Sequence, residues 1–129
     1  MSGEYILSTL NQGIGVYAHV TLEVKETKTH QELKIDINRD IINNYPQYIN
    51  SIKVGVDYFF ELYQTRRPYG LEVKITFFNA RFIDTTSIVV IYVTASAICK
   101  ALNWEIQNLS FNQKDISFTF PKGIWLDMH

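Results

Sequence analysis

Residues 11–24, NQGIGVYAHVTLEV, decide the fold class, because they fit two different structures. From Gly13 the residues follow G-x-G-x-x-A, the outline of a nucleotide-binding loop. Such a loop requires a helix directly after the glycines, because the N-terminus of that helix supplies the anion site. Here the glycines lead instead into residues 16–24, where apolar and polar side chains alternate as in a half-buried strand. The segment is therefore predicted to be a turn before a strand and not a phosphate cradle.

Three further segments also alternate between apolar and polar residues and are predicted to be strands. Residues 33–37 follow the polar stretch 25–31 and are predicted to form a hairpin with the first strand. Residues 71–77 form the third predicted strand, and residues 116–120 form a fourth. A weaker strand candidate lies at residues 106–109.

Two segments are predicted to be helices. After Pro46, apolar residues recur at steps of three and four up to Gln64, which is typical of an amphipathic helix. In residues 87–102 the β-branched side chains favour a strand locally, but the length favours a mostly buried helix. Thr85 or Thr86 is positioned to cap this second helix. The order of elements predicts an α+β fold, with a single sheet of about four strands and two helices on one face.

Length, charge and hydropathy limit the classes of function. The 129 residues predict a single domain over residues 1–129, and the net charge is −1. A protein that depends on phosphate contacts usually carries a basic surplus, which this chain lacks. The N-terminus has no basic segment typical of a signal peptide, and the longest apolar run is far shorter than the ~20 residues that span a bilayer. These features predict a cytoplasmic protein, and the initial Met and the tail at residues 125–129 favour a complete small chain.

The ionisable and nucleophilic residues do not suggest a catalytic or metal site. His19, His30 and His129 share no metal-ligand spacing, and Cys99 adds no further ligand pattern. No G-x-S-x-G motif surrounds Ser87. We therefore predict no catalytic residue, no metal and no cofactor, and His19 is expected to be a surface histidine on the first predicted strand.

The order of elements and several local motifs together resemble the fourth domain of elongation factor G. Residues 13–20 match the family pattern G-x-G-Q-Y-[GA]-H-V at both glycines, the tyrosine, the alanine, the histidine and the valine. Residues 71–76, LEVKIT, resemble its V-D-V-K-V-T strand. Thr86 and Ser87, followed by an apolar helix, resemble its S-S-x-x-A-F-K-x-A-A-S-x-A-x-K segment. Residues 74–77, KITF, are similar to the K-I-C-F strand of the tetracycline ribosomal-protection proteins.

This resemblance implies a fold and a contact surface. The implied fold is the ribosomal protein S5 domain 2-like type, with a left-handed βαβ crossover that departs from the usual right-handed rule. In the family, the glycine turn and the loop before the second helix form a tip that reaches the ribosomal decoding centre and contacts RNA. Here the tip loops correspond to residues 12–16 and 79–86. The implied contact residues are Gly13, Ile14, Gly15, Tyr17, His19, Arg81 and Phe82.

Arg66 and Arg67, beside Tyr69, are weaker candidates for an RNA contact. An arginine pair next to an aromatic ring suits a phosphate or an unstacked base. The alternative is a solvated helix end, where cations interact favourably with the helix dipole.

The tip departs from the family pattern. Ile14 replaces a polar residue that is often arginine, Phe82 aligns with the tip histidine, and Arg81 is the remaining basic residue of its loop. The chain also lacks a G-x-x-x-x-G-K-[ST] motif, so it is not expected to hydrolyse GTP. We expect a stand-alone, non-enzymatic domain that binds the ribosome or structured RNA. The alternative is a protein-interaction or oligomerisation module that kept the fold and lost RNA binding, which an exposed Ile14 and Phe82 would suit.

Overall fold

The structure is a computed structural model that describes residues 1–121. Strands dominate its first half, and two long helices follow. The elements are β1 (Ser2–Asn11), β2 (Ile14–Thr27), β3 (Leu33–Ile37), α1 (Arg39–Asn44), a 3₁₀ turn (Pro46–Tyr48), α2 (Ile49–Gln64), β4 (Gly70–Asn79), α3 (Ser87–Leu102), β5 (Ser110–Asn112) and β6 (Ser117–Thr119).

The first four strands form one mixed sheet in the order β1-β2-β4-β3. β2 pairs antiparallel with both β1 and β4, whereas β3 pairs in parallel with β4. The chain passes from β3 to β4 through α1, the 3₁₀ turn and α2. β5 and β6 form a separate antiparallel pair. The structure therefore confirms an α+β class with a four-stranded sheet. The prediction of a single sheet is wrong, because the predicted strand at residues 116–120 contributes β6 to a second, two-stranded sheet.

The core lies between this sheet and the two long helices. α3 packs on β1 and β2, and α2 packs against α3. The even-numbered residues from Val16 to Val24 of β2 face this core and are buried, as the alternation predicted. Full burial of each valine or leucine among them contributes about 1.5–3 kcal/mol. At Gly55 the two helices come so close that an added Cβ would lie 2.9 Å from the carbonyl oxygen of Ile91.

The predicted hairpin between the first strand and residues 33–37 is wrong. The hairpin partner of β2 is β1, which the sequence analysis did not identify. β1 contains the consecutive apolar residues Tyr5, Ile6 and Leu7, which hide the alternation of its two faces. Residues 33–37 do form a strand, but they lie at the opposite edge of the sheet beside β4.

The two predicted helices are present with one change of conformation. The segment after Pro46 begins as a 3₁₀ turn, and α2 then runs from Ile49 to Gln64. α3 covers residues 87–102 as predicted. The predicted side-chain cap is wrong, because Thr86 occupies the N-cap position without a side-chain hydrogen bond. None of the helices within residues 1–121 is both long and apolar enough to cross a membrane.

The C-terminal strand predictions are partly correct. Residues 117–119 form β6 within the predicted strand, but its partner β5 begins at Ser110, after the weaker candidate at residues 106–109. Phe118 and Phe120 pack on Tyr92 of α3, so this C-terminal segment covers part of that helix. The tail at residues 125–129, including His129, lies outside the described residues.

Cys99 of α3 is expected to react slowly in the folded chain. It lies beside Tyr92, Trp104 and Ile106, and burial raises the pKa of its thiol to about 11. Because the thiolate is the reactive form, a pKa raised by about two units lowers the thiolate fraction at pH 8 roughly a hundredfold. We expect thiol titration with a chromogenic disulfide to be slower by about this factor in the native chain than in urea. Equal rates in the two states would contradict this environment for Cys99.

Candidate nucleic-acid interface

The two glycines of the opening segment have different structural roles. Gln12 and Gly13 form the two-residue turn between β1 and β2, and both have positive φ angles, 51° and 80°. Positive φ at both positions is typical of a type I′ turn, whose twist matches the flanking strands. Gly15 follows the turn, and a Cβ there would lie 2.7 Å from the carboxyl group of Asp84. One glycine therefore permits the turn, and the other permits the close approach of a second loop.

That second loop joins β4 to α3 and is hydrogen-bonded to the start of β2. The backbone N–H of Tyr17 donates to the carbonyl of Asp84 at 3.1 Å. The buried hydroxyl of Thr85 donates to the carbonyl of Tyr17 at 2.5 Å and accepts from the N–H of Arg81 at 2.9 Å. The hydroxyl of Tyr48 donates to the carbonyl of Thr85 at 3.2 Å. Residues 12–16 and 79–86, which we call the tip, are therefore held together at one end of the sheet.

Arg81 lies on an aromatic support within the tip. Its guanidinium carbon lies 4.1 Å from the centroid of the Tyr17 ring, a distance typical of a cation–π contact. The Tyr17 hydroxyl accepts a hydrogen bond from Asn79, which in turn accepts one from Tyr45. Tyr17 lies on the face of β2 opposite the core-facing residues, and it is buried beneath this loop. Its ring therefore positions Arg81 and is not itself an open contact surface.

Large apolar side chains dominate the exposed surface of the tip. Phe82 is 90% exposed and Ile83 is 86% exposed, whereas Ile14 and the neighbouring Leu10 are 55% and 71% exposed. Ile83 and Leu10 were not among the predicted site residues. The sequence could have indicated Ile83 as a contact residue, because it belongs to an apolar pair inside a polar loop. Nothing in the sequence indicated Leu10, because β1 itself was not identified. Exposed apolar side chains clustered in this way are typical of a contact surface.

His19 lies on β2 two residues beyond Tyr17, on the same face of the strand. Its Nε2 is 2.7 Å from a carboxylate oxygen of Glu4, and its ring packs edge-on against Phe77 at 4.9 Å. The hydrogen bond from His19 lowers the pKa of the Glu4 carboxyl group. His19 is therefore tied to neighbouring strands, and its contacts lie beside the tip and not within it.

Arg66 and Arg67 lie at the other end of the sheet. Arg67 Nη1 is 3.0 Å from the Glu26 carboxylate, close to the far end of β2, and Arg66 lies over the Trp104 ring. The length of β2 separates this end from the tip by roughly 40 Å, at a rise of about 3.3 Å per residue. The structure therefore does not bring these two weaker candidates for an RNA contact together with Arg81.

No three His, Cys, Asp or Glu side chains within residues 1–121 are grouped so that they could hold a metal ion. Each ion pair in this part of the chain includes a residue of β2. The pair of Arg67 and Glu26 is joined by Tyr63, whose hydroxyl donates to the same carboxylate. Burial, followed by this hydrogen bond, raises the pKa of Tyr63. The arrangement connects α2 to β2 and offers no open coordination position for a ligand.

The comparisons with known proteins support the fold alone. No protein-family model matches this chain, and no curated protein matches it in sequence. A solved structure from Thermus thermophilus is similar, with a TM-score of 0.56 and 14% sequence identity over 74% of this chain. The chain spans only 14% of the length of that protein. At this identity the likeness defines a class, a small α+β domain with a mixed four-stranded sheet, and does not establish an activity.

Proposed function

We propose that the tip binds the ribosome or another structured RNA, and that the chain acts as a non-enzymatic binding domain in the cytoplasm. The observation that carries this proposal is the position of Phe82 beside Arg81 at one end of the sheet. An aromatic ring that is 90% exposed offers a face on which an unpaired base stacks. The neighbouring guanidinium, supported by Tyr17, is available to a phosphate of the same nucleotide strand.

The resemblance to the fourth domain of elongation factor G supports the same surface. In the elongation factor G family, the fourth domain contacts RNA through the two loops that correspond to residues 12–16 and 79–86. We propose in addition that the fold is ribosomal protein S5 domain 2-like, with a left-handed crossover between β3 and β4. Gly13 adds no side chain to the turn, and no atom lies within 4 Å of the position of an added Cβ, so the backbone there can approach a nucleic acid closely.

Co-sedimentation with purified ribosomes tests the proposal. We expect Phe82→Ala to weaken binding by about 10- to 100-fold, because stacking of one base on an aromatic side chain contributes about 1–3 kcal/mol. Arg81→Glu should weaken binding and reduce its dependence on salt, because a phosphate contact releases counterions. Val54→Ala, on the exposed face of α2, is the matched control. Unchanged co-sedimentation of both tip variants would contradict RNA binding at the tip.

A protein partner is the second candidate, and the composition of the tip favours it. The tip and Leu10 expose four large apolar side chains beside the single cation Arg81, and the whole chain carries a net charge of −1. An apolar contact loses little affinity as salt rises, whereas an RNA contact weakens steeply. If binding is retained at high salt, depends on Phe82 and Ile83, and tolerates Arg81→Glu, the partner surface is a protein.

A further inference from the structure

β1 forms one edge of the four-stranded sheet. Within residues 1–121, β2 is the strand that pairs with it, over all ten residues of β1 and without a bulge. Proteins usually protect a long edge strand with lysine, proline, a bulge or a covering segment. The sequence of β1, SGEYILSTLN, contains no lysine and no proline, and its one charged residue is Glu4. The Asn11 side chain at its end donates to the carbonyls of Gln113 and Lys114, but among residues 1–121 no further strand pairs with this edge.

The hydrogen-bonding pattern identifies the groups that face outward. The N-terminal amine of Met1 donates to the carbonyl of Val24, and the N–H of Val24 donates to the carbonyl of Met1. The register is continuous from this pair to Asn11 and Ile14, so the odd-numbered residues of β1 bond to β2. The even-numbered residues therefore direct their N–H and C=O groups away from the sheet. These residues are Ser2, Glu4, Ile6, Ser8 and Leu10.

We propose that β1 pairs antiparallel with β1 of a second copy of this chain, about a two-fold axis at Ile6. The two four-stranded sheets then form one continuous sheet. A two-fold contact of this kind uses the same surface on both copies, and it is the commonest symmetry of soluble homo-oligomers. Strand addition at an exposed edge derives its affinity from the backbone hydrogen bonds of that edge.

The register follows from the sequence of the strand. With Ile6 opposite Ile6 of the second copy, Glu4 lies opposite Ser8, and Ser2 lies opposite Leu10. All five outward-facing residues of each copy then find a partner for their N–H and C=O groups. Ile6, which is 50% exposed, gains an apolar neighbour across the axis. A register centred on Glu4 would place two carboxylates opposite each other and leave Leu10 unpaired.

This arrangement places the two tips at opposite ends of the dimer, because antiparallel strands reverse direction across the axis. The tips stay free for separate partners, since the tip residues take no part in the strand pairing. The dimer therefore does not depend on the function proposed for the tip. If the chain dimerises but does not bind ribosomes, the proposed strand pairing stands and only the proposal for the tip is contradicted.

Disulfide trapping tests both the dimer and its register. In a Cys99→Ser background, Ile6→Cys places two thiols on paired residues whose Cα atoms are about 5.5 Å apart, within the range for a disulfide. Ser8→Cys is the matched control, because its symmetry mate lies four residues along the strand, about 13 Å away. We expect mild oxidation to yield a covalent dimer for Ile6→Cys and mostly monomer for Ser8→Cys. Equal trapping of both variants would overturn the register.

Sedimentation equilibrium of the full, unmodified chain provides the second measurement. We expect a concentration-dependent dimer, and we expect Ile6→Lys to shift the chain to the monomer by placing two like charges across the axis. Val54→Lys, on the exposed face of α2, should leave the dimer unchanged. Circular dichroism of both variants shows whether they remain folded. A wild-type chain that is monomeric at its highest soluble concentration would overturn the proposal.

Discussion

Substitution of Gly3 by alanine is expected to destabilise the fold strongly. Gly3 of β1 lies against α3, where an added Cβ would be only 2.1 Å from the carbonyl oxygen of Ala97 and 2.7 Å from the N–H nitrogen of Ala101. Both are backbone atoms of a helix, so a side-chain rotation cannot relieve the clash. Overpacking in a core commonly costs about 1–3 kcal/mol, and we expect about 3 kcal/mol or more here. Urea unfolding measures the change in the free energy of unfolding.

Gly13→Ala is the control for this prediction. Gly13 has φ +80° but no atom within 4 Å of an added Cβ, so the substitution introduces backbone strain without a clash. A non-glycine residue in the left-handed region costs about 1–2 kcal/mol. If Gly3→Ala lowers the free energy of unfolding by less than Gly13→Ala does, the close packing of β1 on α3 is incorrect.

Replacement of Thr85 by valine is expected to lower stability by about 3 kcal/mol and to loosen the tip. Valine has nearly the same shape but lacks the hydroxyl that donates to Tyr17 and accepts from the N–H of Arg81. Each buried polar group left without a partner costs about 1–3 kcal/mol. Hydrogen exchange should become faster at the amides of residues 81–85, and urea unfolding measures the lost stability.

Two controls separate the hydroxyl from the shape of the side chain. Thr85→Ser keeps the hydroxyl and should cost only about 1 kcal/mol for the lost methyl group. Thr94→Val makes the same change as Thr85→Val at another buried threonine, whose hydroxyl has no hydrogen-bond partner among the described residues. Removing an unpartnered hydroxyl should leave stability unchanged or raise it by about 1 kcal/mol. Equal effects of the two valine substitutions would contradict the role of Thr85.

Local periodicity predicted the elements whose two faces differ clearly. β2 and β4 alternate between core and solvent, and α3 is largely apolar because it packs on the sheet, on α2 and beneath the β5–β6 hairpin. β1 gave no such signal, since Ile6 and Leu10 are apolar on its solvent face. Local patterns also could not predict which strand residues 33–37 pair with. A strand with one buried face fits either a hairpin or a parallel position.

The candidate site was predictable only in part. Two glycines before an alternating strand correctly predicted a turn followed by a strand in place of the strand–turn–helix order of a phosphate cradle. The contact of Gly15 with Asp84 and the burial of Tyr17 beneath Arg81 depend on how the β4–α3 loop folds back on β2. Thr85 was interpreted as a helix cap, a local role, whereas its hydroxyl makes a contact across 68 residues of sequence.

The central claim is that the tip, and Phe82 in particular, contacts RNA. The most direct measurement is photo-crosslinking from a benzophenone amino acid introduced at position 82, with purified ribosomes as the target. Position 54 on α2, also solvent-exposed, serves as the control site. We expect ribosomal RNA to be crosslinked from position 82 and not from position 54. Crosslinks to protein alone from position 82, or equal RNA crosslinking from both positions, would contradict RNA recognition by the tip.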